Sequence, residues 1–159
     1  MLRNPLKIIN QGFLTLGLCL ILGIGHRAFG YQNSQLSNEC DGDTVDRMGS
    51  DLARESREFL KQLKTAALSN RKTKVAGMVH YPLKVFVDNS MHQIRSPAEF
   101  VSDYERIVTP HVKKALLDQS VKCLFGNTDG FMVGDGEIWF TEVSKSTLKI
   151  VSINTNAVP

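Results

Sequence analysis

Apolar positions recur every three or four residues in some stretches of the chain and every two in others, and that contrast orders the expected elements. From Ser50 to Ser69, Leu52, Phe59, Leu60, Leu63, Ala66 and Ala67 share one stripe, while Arg54, Glu55, Arg57, Glu58, Lys61 and Lys64 take the other face. This is the pattern of an amphipathic helix, with Asn70 as its stop. A shorter helix over Thr73 to Val79 presents Val75, Met78 and Val79 and ends where Pro82 drives Tyr81 from helical angles. His80 then stands at a helix C-terminus, where a cation is favoured by the carbonyl ends.

Beyond Pro82 the period shortens. Leu83 to Asp88 alternates as a strand does, Asp88-Asn89-Ser90 reads as a turn, and Met91 to Arg95 as the partner strand. Ser96-Pro97-Ala98-Glu99 is the clearest local signal: a capping serine, a proline suited to the first helical position, and a glutamate able to reach back. The helix it opens carries Phe100, Val101, Tyr104, Ile107 and Val108 on one face. Thr109-Pro110 breaks and restarts it with Val112, Ala115 and Leu116.

The C-terminal part is β in character. Lys122 to Phe125, containing Cys123, leads into Asn127-Thr128-Asp129-Gly130. Phe131-Met132-Val133 then precedes a hairpin signal at Asp135-Gly136, followed by Glu137 to Val143 and Thr147 to Asn154. Helix, helix, strand, strand, broken helix and a run of strands predict an α+β domain over residues 50–155. Its helices are expected on one face of a curved, mostly antiparallel sheet.

The segment ahead of this domain has a different composition. Arg3 and Lys7 precede an uncharged, leucine-rich run from Gly12 to Gly25, and Ala28-Phe29-Gly30 offers small residues at the two positions a signal peptidase reads. The run is shorter than the roughly 18 to 20 residues that span a bilayer, so residues 1–30 read as an export signal cut before Tyr31, with no permanent membrane span. Cys19 follows Leu18, where lipid attachment needs a small residue. Residues 31–49 are polar and aperiodic and read as a flexible arm. The expected location is the periplasm or the medium.

That cut changes the charge. The whole chain has 19 Lys+Arg against 16 Asp+Glu, but Arg3, Lys7 and Arg27 lie before the cut and no acid does. The remainder is formally neutral, which argues against a nucleic-acid partner. Two cysteines remain, Cys40 and Cys123, an even pair suited to one disulfide in an oxidising compartment, with two separate thiols as the alternative.

Tyr81-Pro82-Leu83 with Val85, then Phe100, Tyr104, Ile107, Thr109-Pro110 and Val112, and finally Gly130-x-Met132-x-Gly134-Asp135-Gly136-Glu137-Ile138-Trp139-Phe140 resemble the nuclear-transport-factor-2-like superfamily of cone-shaped α+β domains. The likeness is to exported bacterial members without an assigned activity, and covers roughly Asp51 to Asn154. It implies a cavity between curved sheet and helices. It does not imply one activity, because isomerases, dehydratases, cyclases and non-enzymatic modules share the fold.

Candidate chemistry is sparse. His80, His92 and His111 form no paired ligand word, and neither Cys40 nor Cys123 has a CxxC partner, so no metal or cofactor is expected. Asp41-Gly42-Asp43 with Asp46 lacks the fifth ligand, the sixth-position glycine and the closing glutamate of a calcium loop. The glycines between Gly126 and Gly136 suit hairpin turns better than a phosphate cradle. No Gly-x-Ser-x-Gly elbow is present. For acid–base work in an apolar cavity the candidates are His80, Asp88, Asp103 and Glu137. Tyr81, Tyr104 and Trp139 are candidates for lining a ligand site, though aromatics at such positions commonly serve the core.

These residues leave three readings open. One is an exported, non-catalytic module that binds a small apolar ligand or a protein partner. Another is a small cone-fold enzyme of isomerase, dehydratase or hydrolase type. The third is an envelope assembly subunit, dimeric through its open sheet face. A deep cavity whose buried carboxylate is partnered only by another titratable group points to the enzyme. A cavity filled by Phe59, Phe100, Phe131 and Trp139 points to a scaffold.

Overall fold

The computed structural model describes Cys40, residues 45–88 and residues 90–156, all within the compact unit Asn38–Pro159. The expected export signal over residues 1–30, most of the expected arm, and Asn89 of the expected turn lie outside the described residues. Among the described residues no helix is long and apolar enough to cross a membrane.

The amphipathic stripe becomes helix α1, Ser50–Leu68, which buries Ala53, Ser56, Leu60, Leu63, Ala66 and Ala67. The one polar group in that set is satisfied locally, since Ser56 Oγ donates to the Ala53 carbonyl at 3.0 Å. Just before α1, Val45–Met48 forms a 3-10 turn. Val45 there is fully buried and Met48 packs against the core, so the polar reading of this stretch overlooked two anchoring side chains.

Helix α2, Lys72–Ala76, is shorter than the spacing predicts, and β1, Val79–Val87, begins earlier. Val75, Met78 and Val79 suit either period. Pairing decides between them: Val79 lies opposite Ile150, and the Ile150 N–H donates to the Met78 carbonyl at 2.9 Å. His80 therefore sits exposed within a strand and not at a helix end. The Tyr81-Pro82 bond inside β1 is cis.

β1 turns at Asp88, which takes φ 46°, into β2, Ser90–Ile94. The Ser96 signal then starts α3, Pro97–Ser102, with Ser96 Oγ accepting from the Glu99 N–H. Glu99 Oε2 in turn accepts from the Arg95 N–H at 2.7 Å, one residue earlier than the reciprocal bond of an ideal capping box. The expected single helix is broken at Asp103, giving α4, Tyr104–Ile107. Thr109 caps α5, Pro110–Asp118.

Four strands close the fold: β3, Phe125–Asn127; β4, Gly130–Val133; β5, Ile138–Ser144; and β6, Thr147–Asn154. Cys123 lies in the turn before β3, not in a strand, and is bonded to Cys40. The six strands form one sheet in the order β2-β1-β6-β5-β4-β3. It is mixed, because β1 and β6 run parallel while the other four pairings are antiparallel. The parallel pair arises because the chain leaves the β1–β2 hairpin through three helices and returns from the opposite margin.

Register sorts the side chains onto two faces. Across the sheet, Val85, Ile153, Ile138 and Val133 are direct neighbours, and all four are buried. The adjacent row runs Gln93, Lys84, Ser152, Trp139, Met132 and Phe125, and each of these keeps some exposure. The core lies on the first face. Phe59 of α1 packs on Phe140 with ring centroids 4.7 Å apart, and Phe140 stacks on Phe131 at 5.1 Å. Phe131 and Phe140 are fully buried, and each such ring contributes about 1.5 to 3 kcal/mol. Trp139 points to the other face, where its ring meets Phe125 edge-on at 6.4 Å.

Candidate functional site

Two open grooves among the described residues each hold one of the acid–base candidates, Asp103 in the first and Glu137 in the second. The first, about 440 Å³, runs along β2 and beneath α3 and α4. Its floor includes Val85, Ile94 and Ile107, all buried, with half-buried Val87. Its rim is charged, with Arg95 just after β2, Glu99 from α3, Asp103 from the α3–α4 junction and Arg106 from α4. Asp103 Oδ2 stands 4.0 Å from Arg106 Nη1, and Arg106 is largely exposed, a geometry worth little in water. An apolar floor with a few polar groups around it is the general form of a binding groove.

The second groove, about 550 Å³, lies between α5 and the β4–β5 turn. The turn is built around Glu137, which is only 4% exposed. Glu137 Oε2 accepts from the Asp135 N–H at 2.7 Å, and Oε1 lies 2.9 Å from Nε2 of His111 on α5. Gly134 takes φ 63°, and a Cβ there would overlap Glu137 Oε2, so the tight turn and the buried carboxylate require each other. Gln119, at the C-terminus of α5, accepts from the Gly134 N–H at 2.9 Å and donates to the Cys123 carbonyl at 2.8 Å. Lys114 pairs with Asp118 at the rim. The cluster thus ties α5, the disulfide loop and the hairpin turn together.

The other sequence candidates are separate. His80 and Asp88 line neither groove. Asp88 Oδ1 accepts from Asn156 Nδ2 at 2.6 Å, which fastens the segment after β6 to the β1–β2 turn. Asp103 belongs to the first groove and Glu137 to the second, so the four acid–base candidates do not converge. Tyr81 donates its hydroxyl to the Ala76 carbonyl at 3.0 Å, and burial pushes its pKa up to about 12.

Tyr104 is fully buried, edge-on to Phe100, and its hydroxyl has no hydrogen-bond partner among the described residues. Burial, reinforced by the neighbouring Glu105 charge, raises its pKa to about 12. The ammonium groups of Lys72 and Lys113 sit 5.3 and 5.7 Å from its ring centroid. Both also pair with Glu105, and those hydrogen bonds hold its carboxyl below the ordinary range.

His111, which meets Glu137, was not among the sequence candidates, because the contact joins the second residue of a helix to a distant hairpin. Arg95 closes the expected strand and Arg106 falls within the helix that Ser96 opens, and neither position carries a local signal of the rim they share. Glu99 did have a local signal, the capping word. Among the described residues there is no group of three or more His, Cys, Asp or Glu side chains able to hold a metal ion. The chain matches no family model, no curated protein and no solved structure.

Proposed function

We propose that this chain is exported, loses its first thirty residues before Tyr31, and acts as a non-catalytic binding module of the cone-shaped α+β kind. Its groove along β2 receives a small apolar ligand or a protein partner. The observation that carries the reading is that groove, with its buried apolar floor and loosely paired charged rim. The Cys40–Cys123 bond supports passage through an oxidising compartment. The observed succession of two helices, two strands, a broken helix and further strands is the element order on which the resemblance to nuclear-transport-factor-2-like domains rests.

A second reading, a small cone-fold hydrolase or isomerase, is favoured by one observation, the buried Glu137 beside His111. It ranks lower because Glu137 is not partnered by a titratable group alone. The Asp135 N–H also holds it, in a cluster that already serves to join three segments.

The test has two parts. Intact-mass measurement on the exported fraction is expected to give a chain beginning at Tyr31. Titration of that protein with the apolar probe anilinonaphthalene sulfonate is expected to show saturable binding. Val87→Glu in the groove floor weakens it about tenfold or more, corresponding to about 1.4 kcal/mol, while Met132→Glu on the other sheet face leaves it intact. Retention of the probe by Val87→Glu removes the groove from the proposal, and a chain confined to the cytoplasm removes export.

A further inference from the structure

The strand margin beside the first groove specifies what kind of partner suits it. β2 is at the edge of the sheet, and Ser90, Met91, His92 and Gln93 are all exposed. The direction of its backbone groups follows from β1. The Phe86 carbonyl accepts from the Thr155 N–H at 2.9 Å, on the β6 side, so by strand alternation Val85 and Val87 bond toward β2. Their partners across the ladder are His92 and Ser90. Met91 and Gln93 consequently aim their N–H and C=O groups at the open margin, where β2 pairs with no other strand among the described residues.

Such a margin is usually blunted by lysine, proline, a bulge or a covering segment. Ser90–Ile94 reads SMHQI and has none of those residues, and its pairing with β1 runs in unbroken register. The row of outward groups has the spacing of another backbone, and a small apolar molecule cannot satisfy it.

We infer that the β2 margin takes an extended polypeptide segment of another protein, added antiparallel to β2, with alternate side chains entering the groove. This rests on the binding-module reading and names the occupant of its groove. Side chains on the groove side meet Ile94 and Ile107, which calls for apolar residues at every second position. Charge fixes one end. Glu99 is engaged by the Arg95 N–H and Asp103 lies near Arg106, whereas the Arg95 guanidinium has no acidic partner among the described residues. A carboxylate at the N-terminal end of an antiparallel segment falls beside Arg95.

The probe is a short fluorescein-labelled peptide of alternating valine and threonine with glutamate at its N-terminal end, titrated into protein from the exported fraction by fluorescence anisotropy. Saturable binding is expected. N-methylation of the peptide amides that face β2 abolishes it, as does Gln93→Pro, which removes an outward N–H. Arg95→Glu weakens it about tenfold, or about 1.4 kcal/mol. Both variants are expected to melt as the unaltered protein does.

Absence of peptide binding, or binding indifferent to N-methylation and to Gln93→Pro, overturns the inference. If the peptide fails while anilinonaphthalene sulfonate still binds in a Val87-dependent manner, the groove takes a small ligand and only this inference falls. If neither binds, the binding-module reading falls with it. A dimer in sedimentation that excludes the peptide and is dissolved by Gln93→Pro assigns the margin to a second copy of the chain and likewise overturns the inference.

Discussion

The open margin of β2 and the β4–β5 turn both belong to antiparallel hairpins, yet they treat their polar groups in opposite ways. At the β4–β5 turn a buried carboxylate, a glycine in the left-handed region, the Gln119 amide and the His111 ring satisfy one another. At the β2 margin the outward backbone groups of Met91 and Gln93 and the Arg95 guanidinium face water above an apolar floor. An unpaired polar group is expensive only when buried. The first cluster therefore consumes its hydrogen-bonding capacity within the fold, while the second leaves it open, as the proposed docking of a peptide requires. The most suggestive pair of side chains, a histidine on a glutamate, thus lies at the end of the molecule that has least left to offer a ligand.

Variants at the closed end are expected to lose stability and keep binding. The largest effect is that of the disulfide. Cys123→Ser opens a link between residues 83 apart in sequence, which the chain-entropy account values at about 4 kcal/mol. Urea unfolding followed by Trp139 fluorescence measures it, and a loss below about 1 kcal/mol would mean the bond adds little to this fold. Gly134→Ala comes next. It places a Cβ on Glu137 Oε2 in a left-handed conformation, at a cost of about 3 kcal/mol. Stability unchanged within about 0.5 kcal/mol would show that the turn is not built around the carboxylate.

Glu137→Gln keeps the shape of the side chain but replaces an acceptor oxygen by a donor facing either the Asp135 N–H or His111. A loss of about 2 kcal/mol is expected in the same urea assay.

The smallest effects separate core from margin. Tyr104→Phe removes a buried hydroxyl that has no partner among the described residues, so stability at neutral pH is expected to hold or rise by about 1 kcal/mol. The alkaline behaviour follows in sign. The folded-state pKa of Tyr104 is raised to about 12 from the ordinary tyrosine value of 10.0, so its contribution is complete below about pH 10 and is lost as pH rises toward 12. The phenylalanine variant is expected to lose less stability across that window in alkaline melts. Gln93→Pro at the open margin is expected to change unfolding by less than about 0.5 kcal/mol, because the N–H it deletes has no partner in the sheet. A larger loss would place that N–H inside the fold and end the contrast between the two hairpins.

Elements whose information is local were legible in advance. The stripe of α1, the Ser96 and Thr109 caps and the Asp135-Gly136 turn each rest on contacts a few residues apart, and the α+β class follows from their order. The start of β1 was misread because Val75, Met78 and Val79 satisfy two periods, and only the parallel partner β6 chooses between them. Cys123 was placed in a strand because Lys122 to Phe125 carries strand-forming residues, but the bond to Cys40 and the Gln119 amide hold it in a turn.

By itself, then, the sequence determined the helical stripes, the caps, the hairpin turn and an even cysteine pair, since propensity, capping and periodicity act over one or two turns of chain. The tertiary structure alone decided that β1 lies parallel to β6, that His111 meets Glu137, that Asp103 and Glu137 fall in different grooves, and that β2 is left at the edge. Those outcomes depend on which distant surfaces bury each other. No local pattern encodes that choice, because the free energy that makes it comes from apolar area removed from water across the whole domain.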